Sequence, residues 1–195
     1  MSSPRPGRPD AKSHRGQTRR DGGIARQAGE GHLRAAGERE FKAAMRQVAS
    51  AVFVLTARSG EEANGLTSAS LCSVSAEPPL VLVSLNRDST AERLIAESGA
   101  FAINFLTEEQ HRIARLFTGV ETTPEERFAE GRWDRLVTGA PVLDGALATF
   151  DCQVETQLSH GTHTIVFGRV LAALSLDEEG LIWRDGSFRR LAPVV

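Results

Sequence analysis

From residue 51 to residue 183 the chain strings together short apolar, β-branched runs at spacings that leave little room between them. Residues 51–56 (Ala-Val-Phe-Val-Leu-Thr) read as a buried strand, and residues 80–85 (Leu-Val-Leu-Val-Ser-Leu) as another. Residues 101–106 form a third run. Phe150, Cys152, Val154, Thr156 and Leu158 alternate with polar neighbours at period two, which predicts a long strand with one apolar face. Residues 164–174 form a further strand broken by Gly168, and 181–183 a short last one. Six or seven strands at hairpin spacing exclude a βαβ sheet, which needs a long crossover between each pair. The expectation is a mainly β (α+β) chain: a closed or nearly closed antiparallel barrel with short helices outside it.

The helices announce themselves by their caps. Ser89-Thr-Ala-Glu92, Thr107-Glu-Glu-Gln110 and Thr123-Pro-Glu-Glu126 each match a capping box, and Pro124 stands at the first helical position. Ile113, Leu116 and Phe117 are expected to face inward on the second of these helices, which stops at Gly119. Phe41, Ala44, Met45 and Val48 fall at i, i+3, i+4 and i+7, an apolar stripe on an earlier helix. Residues 59–65 end in Asn64-Gly65 and are expected to form a hairpin turn.

Charge divides the chain. Residues 1–40 hold nine Lys/Arg against five acids, whereas the remainder holds 14 against 20. With Ile24 and Leu33 as its only larger aliphatics after Met1, the segment 1–37 is too poor in apolar side chains to offset its ordering entropy. It is expected to be a disordered, solvated basic extension, with residues 38–195 as one folded domain. A net charge of -2 argues against nucleic acid as the main partner, and no apolar run approaches the ~20 residues that span a bilayer. The first residues lack the apolar core of a secretory signal. Cys72 and Cys152 lie too far apart in sequence for a CxxC metal motif, and a reducing cytoplasm is the expected setting.

Side chains able to carry chemistry themselves are few. There is no GxGxxG, P-loop, GxSxG or HExxH, and the two cysteines fall in strand patterns where they act as small hydrophobes. His160 and His163, read along one strand, face opposite ways and offer no metal site. A reaction carried by a bound cofactor fits such a chain best. The unusual segment is 64–75, with Thr67, Ser68, Ala69, Ser70, Ser73 and Ser75. So many small side chains let a flat ring such as isoalloxazine come close to peptide N–H groups and hydroxyls. A plain edge strand with a polar outer face would look the same. Ser89 and Thr90, behind Arg87, sit at a helix start suited to phosphate, or simply to capping.

Taken in order, these segments resemble the short-chain flavin reductases of the FMN-binding split-barrel superfamily. The resemblance runs over residues 41–191. It rests on Phe41-x-x-Ala-Met-x-x-Val-Ala-Ser-Ala-Val, Gly65-Leu-Thr-Ser-Ala-Ser70, Cys72-Ser-Val-Ser75, Pro78-Pro-Leu80 and Ser84-Leu-Asn-Arg87. Phe101-Ala-Ile-Asn104, Arg127-Phe128 with Trp133, Phe150-Asp-Cys152 and Gly161-Thr-His163 with Gly168 complete it. Thr162 stands where that family usually has Asp. The details look most like the reductase components of two-component monooxygenases that serve 4-hydroxyphenylacetate hydroxylation or pyrimidine-ring degradation.

The resemblance implies a Greek-key split β-barrel and a homodimer. It implies an NAD(P)H:flavin oxidoreductase that reduces FMN, or alternatively FAD or riboflavin, with NADH or NADPH as hydride donor. A flavin-dependent monooxygenase would receive the reduced flavin. Thr67, Ser68, Ala69, Ser70, Ser84, Leu85, Asn86 and Phe117 are implied to border the flavin, and Ser89 and Thr90 to take its phosphate. Gly161, Thr162 and His163 are implied to lie at the nicotinamide, with His163 positioning the ring; a strand-end cap is the other role open to it. The same barrel also carries flavin or haem binders and electron carriers without turnover.

Overall fold

Gly60, with φ +57°, and Gly161, with φ +59°, start two turns that an L side chain resists. Each turns a strand directly back on its neighbour. In the computed structural model, which describes residues 35–119 and 121–194, the elements run α1 (Glu38–Met45), β1 (Ser50–Ala51), β2 (Phe53–Ser59), β3 (Glu62–Ser68), β4 (Leu71–Ala76), β5 (Pro79–Asn86) and α2 (Thr90–Ser98). There follow β6 (Ala100–Phe105), a 3-10 turn, α3 (His111–Thr118), α4 (Pro124–Ala129), β7 (Trp133–Arg135), β8 (Pro141–Leu143), β9 (Ala148–His160), β10 (His163–Ser175), β11 (Ile182–Arg184) and β12 (Ser187–Arg189). The part of the chain from Gly37 onward forms one compact unit. The disorder expected of 1–37 concerns residues that, up to 34, lie outside those described.

Seven strands form one sheet in the order β3-β2-β6-β9-β10-β5-β4, and every pairing in it is antiparallel. Its two edges are β3 and β4, which are joined by Ala69 and Ser70 alone. Laid flat, six strand spacings would hold those edges about 29 Å apart. Three peptide steps reach about 11 Å at most. The sheet must therefore curl until its edges meet, yet no ladder joins β3 to β4 among the described residues. The result is a barrel with an open seam, the split barrel that the resemblance implied.

Inside the barrel, Phe53, Leu55, Val81, Val83, Leu85, Phe101, Ile103 and Val166 pack with Leu94 and Ile95 of α2. On the other face of β2, Val52 and Val54 meet Ile113, Ala114 and Phe117 of α3 together with Leu143 and Leu181. Burial on both faces explains why 51–56 reads as a continuous apolar run. Gly168 lets the barrel wall close: a Cβ there would stand 2.8 Å from Phe101 Cε1 and 3.1 Å from Cys152 Cβ. The capping box formed in full at Thr123; at Thr107 the main-chain N–H donates to Gln110 Oε1 at 3.0 Å, and Ser89 Oγ accepts from Glu92 N at 3.2 Å.

Three expectations are corrected. Asn64-Gly65 is not the turn, which falls at Gly60; both residues lie buried inside β3. Gly65 is glycine for space, because a Cβ would come within 2.6 Å of Leu55 O and 2.9 Å of Phe117 Cε1. The stripe on α1 is not buried within this chain: Phe41 is 61% exposed, and Met45 and Val48 are half exposed. The alternation predicted for 150–158 shows only over Cys152–Val154. Before it Thr149 and Asp151 are buried too, so both faces of β9 are covered, and beyond it both faces are open, with Leu158 60% exposed.

Candidate functional site

The seam gathers most of the residues singled out in the sequence. Thr67 and Ser68 end β3, Ala69 and Ser70 cross the gap, and Ser84 N donates to Ser70 O at 3.3 Å. Because β3 pairs only with β2 and β4 only with β5, each presents an unladdered edge there. The hydroxyls are already in use. Thr67 Oγ1 donates to Ala114 O at 2.7 Å, and Ser68 Oγ accepts from Ser70 N at 3.2 Å. These bonds hold the crossing segment in shape, leaving hydroxyl lone pairs and main-chain edges for a guest.

Two hollows open along this line. One, of about 260 Å³, is lined by Val52, Thr67, Ser68, Ala69 and Thr118, with Trp183 and Phe188 as an aromatic wall. The Trp183 and Phe188 rings meet edge to face at 5.1 Å, carried by the β11–β12 hairpin. The other, of about 300 Å³, lies between Asn64–Leu66 and the start of α2 at Asp88, Ser89, Thr90 and Ala91, and reaches Thr118, Gly119 and Arg127. Thr118 lines both, so the two hollows adjoin along the seam as an apolar lobe and a polar lobe.

The polar lobe is built by α2 and α4. Ser89 caps α2, whose first-turn carboxylate Glu92 is turned away to accept from Thr164 Oγ1 at 2.9 Å. Arg127 comes from α4. Its Nε donates to Thr122 Oγ1 (3.0 Å), Nη1 to Asn64 Oδ1 (2.6 Å) and Gly65 O (3.2 Å), and Nη2 to Gly119 O (2.6 Å). Phe117 lines the floor of this lobe but is only 2% exposed, held edge to face by Phe128. It supports the cleft and offers a guest almost no surface.

Leu85 is placed in the same way. Its side chain is in the barrel core at 2% exposure, so it can meet a guest only through its main chain. Asn86 is exposed, and its Oδ1 accepts from Asp88 N at 2.9 Å, shaping the turn into α2. Gly161, Thr162 and His163 form the tip of the β9–β10 hairpin, set beside that turn: His163 pairs with Asn86, and Arg87 N donates to Thr162 O at 3.1 Å. His163 is exposed, with Nδ1 2.9 Å from Thr162 Oγ1. His160 and His163 are direct cross-strand partners and therefore share a face, contrary to the opposite facing expected of one continuous strand. Among the described residues, no cluster of three metal-ligating side chains exists.

The cysteines differ sharply. Cys72 is exposed on β4, while burial, aided by the charge of Asp151, pushes the Cys152 thiol up to about 12. Cys152 is thus an inert part of the core. A further cavity, of about 620 Å³, lies between the β7–β8 hairpin and the ends of β9 and β10 and holds none of the expected residues. Among the contributors to the cleft that escaped sequence reasoning, three stand out. Arg127 belonged to a recognised motif without a role, and Trp183 with Phe188 sits on a hairpin whose Asp185-Gly186 turn (φ +48° and +76°) was a readable signal.

Residues 45–192 match a family model described as a flavin reductase like domain. FMN reductase (NADH) RutF of Stutzerimonas stutzeri A1501 is 38% identical over 154 residues, covering 78% of this chain and 88% of that one. BorF, the flavin reductase component of a bacterial two-component tryptophan halogenase, superposes with a TM-score of 0.74 at 31% identity, over 81% of this chain and all of the other. The Streptomyces globisporus NADH:FAD oxidoreductase SgcE6, solved in complex with NAD and FAD fragments, gives a TM-score of 0.73 at 31% identity, over 79% of this chain and 92% of that one. With its fold, its seam and these likenesses in agreement, the chain belongs to the flavin reductase like family.

Proposed function

We propose that the seam cleft is where this chain holds flavin, with the phosphate at the start of α2 and the ring along the β3–β4 edge. The activity is that of an NADH:flavin oxidoreductase with FMN as the flavin, as in the relatives named FMN reductase (NADH). When bound, the flavin supplies the hydride-accepting chemistry; the protein supplies place and electrostatics. The donor set fits such a guest. Peptide edges and small side chains at Thr67–Ser70 suit a flat ring with acceptor atoms, and Val52, Trp183 and Phe188 suit its apolar edge. Ser89, Thr90 and the N–H groups opening α2 suit a phosphate. The observation that carries the reading is that these two lobes, one suited to a ring and one to a phosphate, adjoin at Thr118 on the open seam.

His163, at the hairpin tip beside Asn86, holds the nicotinamide over the seam; hydride transfer asks no proton of it, so its work is positioning. The chain acts as a homodimer. That is supported by the exposed apolar stripe on α1 and by exposed Leu158 on the outer sheet face, surfaces that a second copy would cover. The reduced flavin passes to a flavin-dependent monooxygenase or halogenase, as with the components to which the chain is similar. It works in the cytoplasm, consistent with its two free cysteines. Among the described residues no helix is long and apolar enough to cross a membrane.

The test is NADH oxidation followed by absorbance, with and without added FMN. Turnover that requires FMN and saturates with it is expected. FMN binding without NADH oxidation would instead make the chain a flavin carrier.

A further inference from the structure

We propose that Arg127 is the charge that makes this cleft prefer phosphorylated flavin to riboflavin; the inference rests on the flavin reading above. The described arginines fall into two groups. Arg46, Arg58, Arg93, Arg112, Arg132 and Arg169 each face a carboxylate. The others are exposed, except Arg127, which is half-buried and has no carboxylate partner among the described residues. A cation taken out of water without a counter-charge is costly. A purely structural clamp onto carbonyl and hydroxyl oxygens does not need that charge.

The guanidinium has five N–H groups, and its four bonds to Thr122, Asn64, Gly65 and Gly119 leave one Nη2 hydrogen uncommitted. All four acceptors are neutral, so the full positive charge persists at the polar lobe. That lobe also receives the N-terminal end of α2. One carboxylate, Asp88, lines it as well; it is exposed and makes no ion pair with Arg127. Glu92 is held by Thr164, and Glu126 by the N–H of Thr123 that it caps. An anion from outside is what the lobe lacks, and a phosphate monoester supplies it. Asn64 and Gly65 fix where the guanidinium sits: Asn64 Oδ1 also accepts from Gly65 N at 2.7 Å, and the space beside Gly65 is filled by Phe117.

The experiment compares FMN and riboflavin binding, by flavin fluorescence, in the wild type, Arg127→Lys and Arg127→Met. The wild type is expected to bind FMN about ten- to a hundredfold more tightly than riboflavin, as for one charge-assisted contact. Arg127→Met should remove most of that ratio, mainly by weakening FMN, leaving the part due to Ser89, Thr90 and the start of α2, while Arg127→Lys keeps a substantial part of it. Raising ionic strength should weaken FMN in the wild type but leave the Met variant's FMN affinity nearly unmoved. Should the Met variant fail to fold, the wild type still decides. Inorganic phosphate should compete with FMN and not with riboflavin, and the Lys variant should retain the preference. An unchanged FMN-to-riboflavin ratio in Arg127→Met, or phosphate that displaces neither flavin, would overturn the role and leave Arg127 a clamp. A wild type that binds neither flavin would instead overturn the reading of the cleft itself.

Discussion

The wall of the barrel and its seam are made by the same sheet and solve opposite problems. In the wall, β2, β6 and β9 are laddered on both sides, and Phe53, Leu55, Phe101 and Ile103 are fully buried between them. The polar groups there are absorbed internally: Asn104 donates to Val54 O at 3.2 Å and accepts from Leu143 N at 2.8 Å, and Thr56 Oγ1 donates to Pro141 O. At the seam, β3 and β4 are laddered on one side only. Their side chains are small, and the hydroxyls serve as local staples. The wall holds the fold by apolar burial. The seam contributes less burial and keeps main-chain edges exposed, which is the condition for admitting a guest.

That contrast breaks most readily at Phe101. Phe101→Ala removes a ring packed against Gly168 and Cys152, and should cost about 3–5 kcal/mol of stability, read as a fall in the denaturant midpoint. A loss under about 1 kcal/mol would mean that the wall is loosely packed and the contrast is false. His163→Ala probes the other side. An exposed hairpin tip should bear it with unchanged stability and unchanged FMN affinity. The kcat/KM for NADH should fall roughly tenfold to a hundredfold, for one positioning contact of about 1–3 kcal/mol. Wild-type flavin reduction by NADH in stopped flow would remove His163 from the nicotinamide site.

The wall was the more legible of the two in the sequence. Phe53, Leu55, Phe101 and Ile103 lie in runs whose apolar, β-branched character admits little but buried strand, and the caps at Ser89, Thr107 and Thr123 marked the helix starts correctly. What failed was what depends on partners distant in sequence. Gly65 looked like a turn residue because nothing local shows Phe117 lying over it. His160 and His163 looked opposed because a two-residue turn between them, invisible as such, makes them face each other. Leu85 and Phe117 were placed at the flavin by resemblance, and the burial of their side chains could be seen only once the barrel and α3 were assembled. Arg127 had no visible role because its unbalanced charge exists only where α4 meets β3.

The smallest expected effect concerns the basic extension. Deleting residues 1–37 should leave both thermal stability and FMN affinity essentially unchanged, within about 0.5 kcal/mol. A large loss of either would show that the extension supports the wall or the seam.

Hydrogen exchange of the full chain with and without saturating FMN tests the placement of the cleft most directly. Slowed exchange is expected for the amides of residues 66–72, for those opening α2 at 89–92, and for the segment from Thr118 to Gly119, with the wall strands β6 and β9 unchanged. Protection confined to residues 132–136, 142–146 and 174–176, around the 620 Å³ cavity beyond the β7–β8 hairpin, would contradict the account and move the flavin away from the seam.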